Sequence, residues 1–250
     1  MSIKMIVLDL DGTFLRDDKT VSEKSISVLK RLRARGIKTV FATVRGVSAQ
    51  NIVPCDLFDG FVRMCGAEAL ADDIKVYKRY ISTKKVKSFL SILDEAGIRI
   101  TVESKGSHYA NFNVNDIWDW VICFSDTDFP TLDIEAEKLI AFPNTIYDID
   151  FIKKNIPEDL NIIITRDSLV MMMNKDATKA KAISALASYW TINRHEIVSF
   201  GDDITDIDLL KYSGIGVAMG NALDEVKSIA NFVCDTNEND GVAKWLEDNL

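Results

Sequence analysis

Two acidic residues stand at the end of an apolar run near the start of the chain, in the stretch MIVLDLDGTF. The run Met5–Leu8 has the composition of a buried strand. Asp9 and Asp11 follow it, and Gly12 comes next. Carboxylates at the end of a buried strand are costly unless a cation neutralises them, and ligands of open parallel sheets bind at such strand ends. The stretch therefore predicts a site, and an Asp-Gly turn that only reverses the chain is the alternative interpretation.

A second group of acids follows a predicted strand over 197–200, in the stretch IVSFGDDITDIDLL. Asp202 lies two residues beyond this strand, and Asp203, Asp206 and Asp208 come soon after it. Acids gathered on neighbouring strand ends require a hard cation, and Mg²⁺ prefers oxygen ligands while keeping positions open for water and phosphate. For Asp203 and Asp208 we favour a different interpretation, as helix N-cap or first-turn residues stabilised by the helix dipole.

Two further elements carry polar residues that fit an anionic ligand. The predicted strand 38–42, KTVFA, is followed by Thr43 and Arg45. Lys179 opens a predicted helix in NKDATKAKAISAL. A cation at a helix N-terminus is unfavourable for the helix dipole unless an anion is near, so the position of Lys179 suggests such a partner. Taken alone, a solvated surface lysine is the more ordinary interpretation.

The composition excludes several classes of protein. The chain has 250 residues, of which 38 are acidic and 30 basic, and its net charge of -8 argues against a nucleic-acid or anionic-membrane surface. Small ligands fit this balance better. The four cysteines, Cys55, Cys65, Cys123 and Cys234, form no CxxC pair, so we expect reduced thiols and a cytoplasmic protein. Neither a leader peptide nor a membrane span is expected, and the oligomeric state stays unknown.

Alternating periodicity predicts the architecture. Helical and strand-like segments alternate at both ends of the chain, namely strand 4–8, helix 22–35, strand 38–42, helix 179–189, strand 197–200, helix 204–212, strand 215–218 and helix 242–249. Between them the pattern is mixed, with a helix over 84–96 and strands over 99–102, 161–165 and 169–173. We predict an α/β fold with a Rossmann-like three-layer core and a mainly parallel sheet, formed by residues 1–78 and 177–250. Residues 79–176 would form an inserted α+β domain.

Four motifs in order resemble those of a known family. DLDGT at residues 9–13, ATVR at 42–45, DATKAKAI around Lys179 and GDDITD at 201–206 are similar to the four motifs of the haloacid dehalogenase superfamily of phosphatases. Within it, the chain resembles the Cof-type, sugar-phosphatase-like branch with a type IIB cap. The resemblance covers nearly the whole chain and implies that the inserted domain is this cap.

The resemblance also implies a mechanism. Asp9 would attack phosphorus and form an aspartyl-phosphate, and Asp11 would act as general acid and then as general base. Mg²⁺ would be held by the Asp9 carboxylate, the backbone carbonyl of Asp11 and Asp202, and would shield the nucleophile from the anionic substrate.

Other positions would bind the phosphoryl group. Thr43 would offer a hydroxyl, Lys179 a positive charge, and Gly12 would let the backbone approach the phosphate. Arg45 and Asn221 would frame the pocket.

Asp206 would hold a metal-bound water or orient Lys179. The chain departs from the branch pattern beside it, because Thr205 stands where an asparagine is usual, and it departs again at Cys65, where an Asn-Gly-Ala sequence is usual. Neither departure removes a catalytic group.

We therefore expect Mg²⁺-dependent hydrolysis of a small phosphorylated metabolite, with sugar phosphates as the class that the resemblance favours. A phosphomutase and a non-catalytic protein that binds a phosphorylated ligand are the alternatives. A signalling receiver combines similar residues in a shorter chain, but it has no need for the proton-transfer group that Asp11 provides.

Overall fold

The computed structural model describes residues 2–72, 74–119, 121–165 and 167–250, except for the side chains of Ser48 and Cys55. The chain forms two compact units. The first comprises Met1–Lys78 together with Thr178–Leu250, and the second comprises Arg79–Ala177. Across the described ranges, no helix is both long and apolar enough to cross a membrane.

An eight-stranded sheet organises the first unit. Its strands are β1 (Met5–Leu8), β2 (Lys38–Ala42), β3 (Gly60–Arg63), β4 (Glu68–Ala71), β5 (Ile74–Lys78), β14 (Ile197–Gly201), β15 (Ile215–Ala218) and β16 (Phe232–Val233). Its helices are α1 (Glu23–Ala34), α4 (Lys179–Tyr189), α5 (Ile207–Tyr212), α6 (Asp224–Ile229) and α7 (Gly241–Asn249). The strand order is β16-β15-β14-β1-β2-β3-β4-β5, and all pairs from β16 to β3 are parallel.

Strand β1 occupies the centre of the parallel part, and its residues are buried on both faces of the sheet. Ile6 and Leu8 pack in one core cluster, with side chains of α1, α6 and α7. Met5 and Val7 pack in another, with side chains of α4 and Leu209 of α5. Successive residues of a strand point to opposite faces, so an uninterrupted apolar run is what a sheet covered on both sides requires. The predicted three-layer α/β core is confirmed.

The last two strands of this sheet extend it in the antiparallel direction, which the sequence pattern did not predict. β4 pairs antiparallel with β3 and with β5, and the second pairing contains a register shift between Ala69 and Leu70. β5 has the sequence IKVYK, and three of its five residues are exposed. Its β-branched and aromatic residues are a strand signal that sequence reasoning overlooked.

The second unit is built on a six-stranded sheet with the order β12-β13-β11-β7-β8-β9. Its elements are β6 (Ile81–Ser82), α2 (Lys87–Glu95), β7 (Arg99–Ser104), β8 (Ser107–Ala110), β9 (Phe124–Asp126), β10 (Glu135–Ala136), β11 (Lys138–Phe142), α3 (Ile146–Asn155), β12 (Leu160–Ile164) and β13 (Val170–Asn174). β6 and β10 form a separate antiparallel pair. Helices α2 and α3 pack on the sheet through a shared apolar cluster, so the α+β character predicted for this segment is confirmed.

Several predicted boundaries were wrong by a few residues. The helix predicted over 84–96 begins at Lys87, after the non-helical Val86. The element predicted as one helix over 204–212 opens with a 3-10 turn, and the α-helix begins at Ile207. Helix α3 was missed although its capping box, Thr145 with Asp148, is visible in the sequence.

Candidate active site

Three neighbouring strands of the first unit end at one edge of the sheet. The register pairs Leu8 of β1 with Phe200 of β14 on one side and with Phe41 of β2 on the other. The residues that follow therefore leave the sheet side by side, with Asp9 after β1 and Thr43 after β2. Asp9 is buried, and its backbone N–H donates to the carbonyl of Phe200 at 3.1 Å.

Lys179 connects the strand ends to helix α4. It is the first residue of this helix, after the N-cap Thr178, and it is fully buried. Its Nζ donates to Oδ1 of Asp9 and to Oδ1 of Asp206, each at 2.6 Å. These two carboxylates are the anions that a cation at a helix N-terminus requires. Burial alone would lower the pKa of Lys179, but the two carboxylates raise it above the ordinary value.

Asp206 also organises the loop after β14. Its Oδ2 accepts hydrogen bonds from the backbone N–H groups of Asp202 and Asp203, each at 3.1 Å. Asp203 is the N-cap of the following turn, as the sequence predicts. Asp208 lies in the first turn of α5, and its Oδ2 also accepts the backbone N–H of Ala180 at 3.2 Å. Asp208 therefore fastens the start of the helix that carries Lys179.

Asp202 is held by the loop after β1. Thr13 donates its hydroxyl to Oδ1 of Asp202 at 3.0 Å. Gly12 has a φ of 75°, and a Cβ at this position would lie 2.5 Å from Oδ2 of Asp202. Glycine is needed here because the backbone approaches this carboxylate closely, and because a side chain would be strained at this φ. The structure shows Gly12 close to the Asp202 side chain, and the predicted approach of its backbone to a phosphate stays a prediction.

The carboxylates of Asp9, Asp202 and Asp206 form a compact acidic cluster. One oxygen of each lies within 4.8 Å of the others, and all three side chains are buried. Burial raises the pKa of Asp9 well above its usual value, against the opposing effect of Lys179. Burial, with Asp206 nearby, raises the pKa of Asp202 to about 7. One lysine cannot balance three carboxylates, so this set of oxygen donors fits a hard divalent cation such as Mg²⁺.

The side chain of Asp11 makes different contacts. Arg45 donates to both of its carboxylate oxygens, from Nε at 2.5 Å and from Nη2 at 2.8 Å, and Lys19 donates at 2.9 Å. Burial would raise the pKa of Asp11, but these hydrogen bonds outweigh it and hold the pKa below the usual value. The predicted role of the Asp11 backbone carbonyl as a metal ligand stays a prediction.

The remaining predicted residues lie around this centre. Thr43 is buried, and its Oγ1 accepts the backbone N–H of Arg45 at 3.1 Å, which leaves the hydroxyl hydrogen available to a ligand. Asn221 donates from Nδ2 to the carbonyl of Gly12 at 2.7 Å. Thr205 is partly buried in the turn that carries Asp206.

Sequence reasoning missed Lys19 and Thr13 as parts of this site. Thr13 stands inside the quoted DLDGT motif and has a polar side chain next to a glycine, which is a usable signal. Lys19 has no comparable signal, because it lies eight residues beyond Asp11 and reaches it through the turn between Arg16 and Thr20. Cys65, Cys123 and Cys234 form no disulfide among the described residues, and the side chain of Cys55 lies outside them.

The chain is similar over nearly its full length to proteins that are named as phosphatases. A Haemophilus influenzae protein is 29% identical to this chain, and the alignment covers 99% of this chain and 98% of that protein. The 5-amino-6-(5-phospho-D-ribitylamino)uracil phosphatase YitU of Bacillus subtilis is 25% identical, with 98% of this chain and 96% of that protein covered.

Solved structures of phosphatases are also similar to this chain over nearly its full length. A phosphatase of the haloalkanoate enzyme superfamily from Bacteroides thetaiotaomicron matches with a TM-score of 0.88 and 28% identity, covering 99% of this chain and 95% of that one. A sugar phosphatase of subclass IIB matches with a TM-score of 0.82 and 25% identity, with 98% of each chain covered. The family model of haloacid dehalogenase-like hydrolases matches residues 6–246. The chain therefore belongs to the haloacid dehalogenase-like hydrolase family, as its four motifs predicted.

Proposed function

We propose that this protein is a Mg²⁺-dependent phosphatase of small phosphate monoesters, with sugar phosphates as its substrate class, and that it acts through an aspartyl-phosphate. One observation carries the proposal. Buried Lys179 donates to Asp9 and Asp206 at 2.6 Å, at the edge of the sheet where three parallel strands end. A nucleophilic carboxylate beside a fixed cation is the arrangement that attack on an anionic phosphate requires.

In the first step, an oxygen of Asp9 attacks phosphorus, and the bond from phosphorus to the leaving oxygen breaks. Lys179 offsets the negative charge that nucleophile and phosphoryl group bring together. The hydroxyl of Thr43 donates to a phosphoryl oxygen. The product of this step is an aspartyl-phosphate on Asp9 and a free alcohol.

Asp11 moves the proton in both steps. It gives a proton to the leaving oxygen, and afterwards takes one from the water that attacks the aspartyl-phosphate and restores Asp9. In this structure Arg45 and Lys19 donate to the Asp11 carboxylate and favour its charged form, so at least one of these contacts must open for Asp11 to carry the proton of the first step. A protein that only binds a phosphorylated ligand would have no use for this group.

The acidic cluster would hold the metal. Asp9 and Asp202, with the backbone carbonyl of Asp11, are the proposed ligands, and Asp206 orients Lys179 beside them. Bound Mg²⁺ supplies charge neutralisation between the carboxylate nucleophile and the phosphate.

The second unit is proposed as the cap, with the core formed by residues 1–78 and 177–250 and the cap by 79–176. A cap of this kind selects the leaving group and excludes bulk water. The sugar-phosphate class is supported by the subclass IIB relative, which is named a sugar phosphatase. The cytoplasmic location is proposed because the four cysteines form no CxxC pair in the sequence.

Turnover of para-nitrophenyl phosphate, measured with MgCl₂ and with a chelator, tests the reaction. We expect hydrolysis with Mg²⁺ and its loss on chelation, and activity indifferent to the chelator would contradict the metal's role. Asp202→Asn should lose activity because a ligand is weakened. Asp203→Asn is the matched control, since asparagine remains a good N-cap in the same loop.

A panel of phosphorylated metabolites tests the substrate class. The panel contains hexose and pentose phosphates, nucleoside monophosphates, pyridoxal phosphate and 5-amino-6-(5-phospho-D-ribitylamino)uracil. The proposal expects the highest kcat/KM for a sugar phosphate. A preference for a nucleotide or for the uracil compound would overturn the sugar-phosphate class and leave the hydrolytic reaction in place. Release of an isomeric phosphate instead of inorganic phosphate would identify a mutase.

A further inference from the structure

A second contact network fastens the loop after β1 to the C-terminal part of the first unit. Asn237 is buried, and its Nδ2 donates to the carbonyl of Leu15 and to Oδ1 of Asp17, each at 3.1 Å. The backbone N–H of Asp17 donates to Oε1 of Glu238 at 2.7 Å. These three contacts each join residues more than 200 positions apart in sequence, so they exist only in the folded unit.

Asn221 extends this network to the glycine beside the site. Its Oδ1 accepts the backbone N–H of Asn237 at 3.1 Å, and its Nδ2 donates to the carbonyl of Gly12 at 2.7 Å. Arg16 forms an ion pair with Asp240 at 3.1 Å. We call the four residues on the C-terminal side, Asn221, Asn237, Glu238 and Asp240, the C-terminal latch.

The latch is held in place by contacts of its own segment. Lys244 pairs with Asp235 at 2.7 Å, and Asp235 also accepts the backbone N–H of Thr236 at 2.8 Å. At Gly241 a Cβ would lie 2.1 Å from the carbonyl oxygen of Asp235. These contacts lie within residues 235–244 and do not involve the loop after β1. They hold the segment in place, so it can support the loop.

The loop that the latch holds lies against the proposed catalytic residues. Phe14 donates its backbone N–H to the carbonyl of Asp9 at 3.2 Å, and Leu15 donates to the carbonyl of Leu10 at 2.8 Å. Thr13 stands between Gly12 and Phe14, and its hydroxyl donates to the carboxylate of Asp202. A shift of this loop would therefore move the backbone around Asp11 and release a side chain from Asp202.

We propose that Asn237 is a positioning residue, which acts through the C-terminal latch to fix the loop from Gly12 to Asp17 in the geometry that the reaction requires. The expected effect on kcat rests on the proposed function. The expected effect on the position of the loop does not. It also gives Asn221 a different role from phosphate binding, because both ends of its amide are engaged by protein atoms.

The chain offers a matched control for a purely structural role. Asn231 accepts the backbone N–H of Gly216 at 2.8 Å, near the start of β15 and away from the loop after β1. Asn231→Ala and Asn237→Ala both remove a side-chain contact to the backbone of the same unit. Because Asn231 is exposed and Asn237 is buried, the free energy of unfolding of both variants is measured by urea denaturation, and only a loss of kcat beyond the loss of folded protein counts as positioning.

Two measurements separate positioning from stability. Hydrogen exchange of the amides of residues 13–16, in the protein without substrate, should become about tenfold faster in Asn237→Ala, because a buried acceptor loses its donor. With para-nitrophenyl phosphate and MgCl₂, kcat should fall about tenfold with KM little changed, since small misplacements of reacting groups are costly. Asn231→Ala should change neither quantity.

Asn221→Asp is a second variant, on an exposed side chain. It keeps the acceptor for Asn237 and replaces the donor to Gly12, so kcat should fall as in Asn237→Ala. A rise in KM alone would overturn the latch role and return Asn221 to phosphate binding. Unchanged exchange in both variants, or an equal kcat loss in Asn231→Ala, would also overturn it. An inactive wild-type protein would refute the proposed function, and the exchange data would still decide the latch.

Discussion

The two units each bury a lysine among carboxylates, and the two sets differ in charge balance. In the first unit, Lys179 faces Asp9 and Asp206 directly, and Asp202 completes the acidic cluster. In the second unit, Lys138 pairs with Glu103 at 3.0 Å, across the neighbouring strands β11 and β7. Both sets are nearly inaccessible to solvent.

This difference separates a site from a structural ion pair. A one-to-one pair is neutral, and its role in the second unit is to let two long side chains stay buried between strands. Three carboxylates around one lysine leave an excess negative charge in a buried place, and the fold keeps them there despite the cost. A bound cation would neutralise this excess negative charge. The site could then accept an anionic substrate.

The largest expected effect is on turnover. Asp9→Asn should lower kcat at least about a thousandfold, because an amide cannot attack phosphorus. Glu103→Gln, the corresponding change in the balanced pair, should leave kcat for para-nitrophenyl phosphate near the wild-type value. Steady-state assays of both variants, with circular dichroism as the folding control, make the measurement. A comparable loss in the two variants would end the distinction between the sets.

The next effect concerns the stability of the balanced pair. Lys138→Met should lower the free energy of unfolding by about 3 kcal/mol, because Glu103 is left buried without its partner. Adding Glu103→Leu should restore most of that loss, since two apolar side chains need no counter-charge. Urea denaturation of the three proteins measures the change. If the double variant is no more stable than the single one, the pair is not an isolated structural contact.

Metal binding should stabilise the protein through the acidic cluster of the first unit and not through the Lys138–Glu103 pair. At ten times its dissociation constant, Mg²⁺ should raise the free energy of unfolding by about 1.4 kcal/mol. Asp202→Asn should reduce this increment strongly, whereas Lys138→Met should keep it. Thermal unfolding with and without MgCl₂ gives the values. Equal increments in wild type and Asp202→Asn would exclude the acidic cluster as the metal site.

The smallest effect is a pH dependence in the second unit. His108 is buried, faces Glu103 and Lys138, and lies 3.1 Å from the hydroxyl of Thr101. Burial lowers the pKa of His108 below its usual value, so the fold favours the neutral ring. Its contribution to stability is complete above the unfolded pKa, about 6.5, and is lost as the pH falls through the folded value.

His108→Gln should flatten this dependence. Urea denaturation at pH 7.5 and 5.0 should show a smaller loss of stability on acidification in the variant than in wild type. A larger loss in the variant would mean that the charged ring is favoured, and would reverse the sign.

Much of the site could be predicted because its residues stand directly after regular elements. Strand β2 and helix α4 have the bounds that their periodicity predicts. Asp9 and Asp202 follow apolar strands, and Lys179 begins a helix, so their positions depend on local pattern alone. The contact from Lys19 to Asp11 had no such pattern, whereas the strand-like composition of β5, IKVYK, was overlooked.

The sequence by itself determined the family, the α/β alternation and the identity of the residues at the strand ends, because these depend on residue type and short-range spacing. Only the tertiary structure decided the partners. Asp206 bridges Lys179 and the loop after β14, and Arg45 and Lys19 take both oxygens of Asp11. Such contacts join positions that only folding brings together, and a side chain's direction is set by the neighbours that surround it.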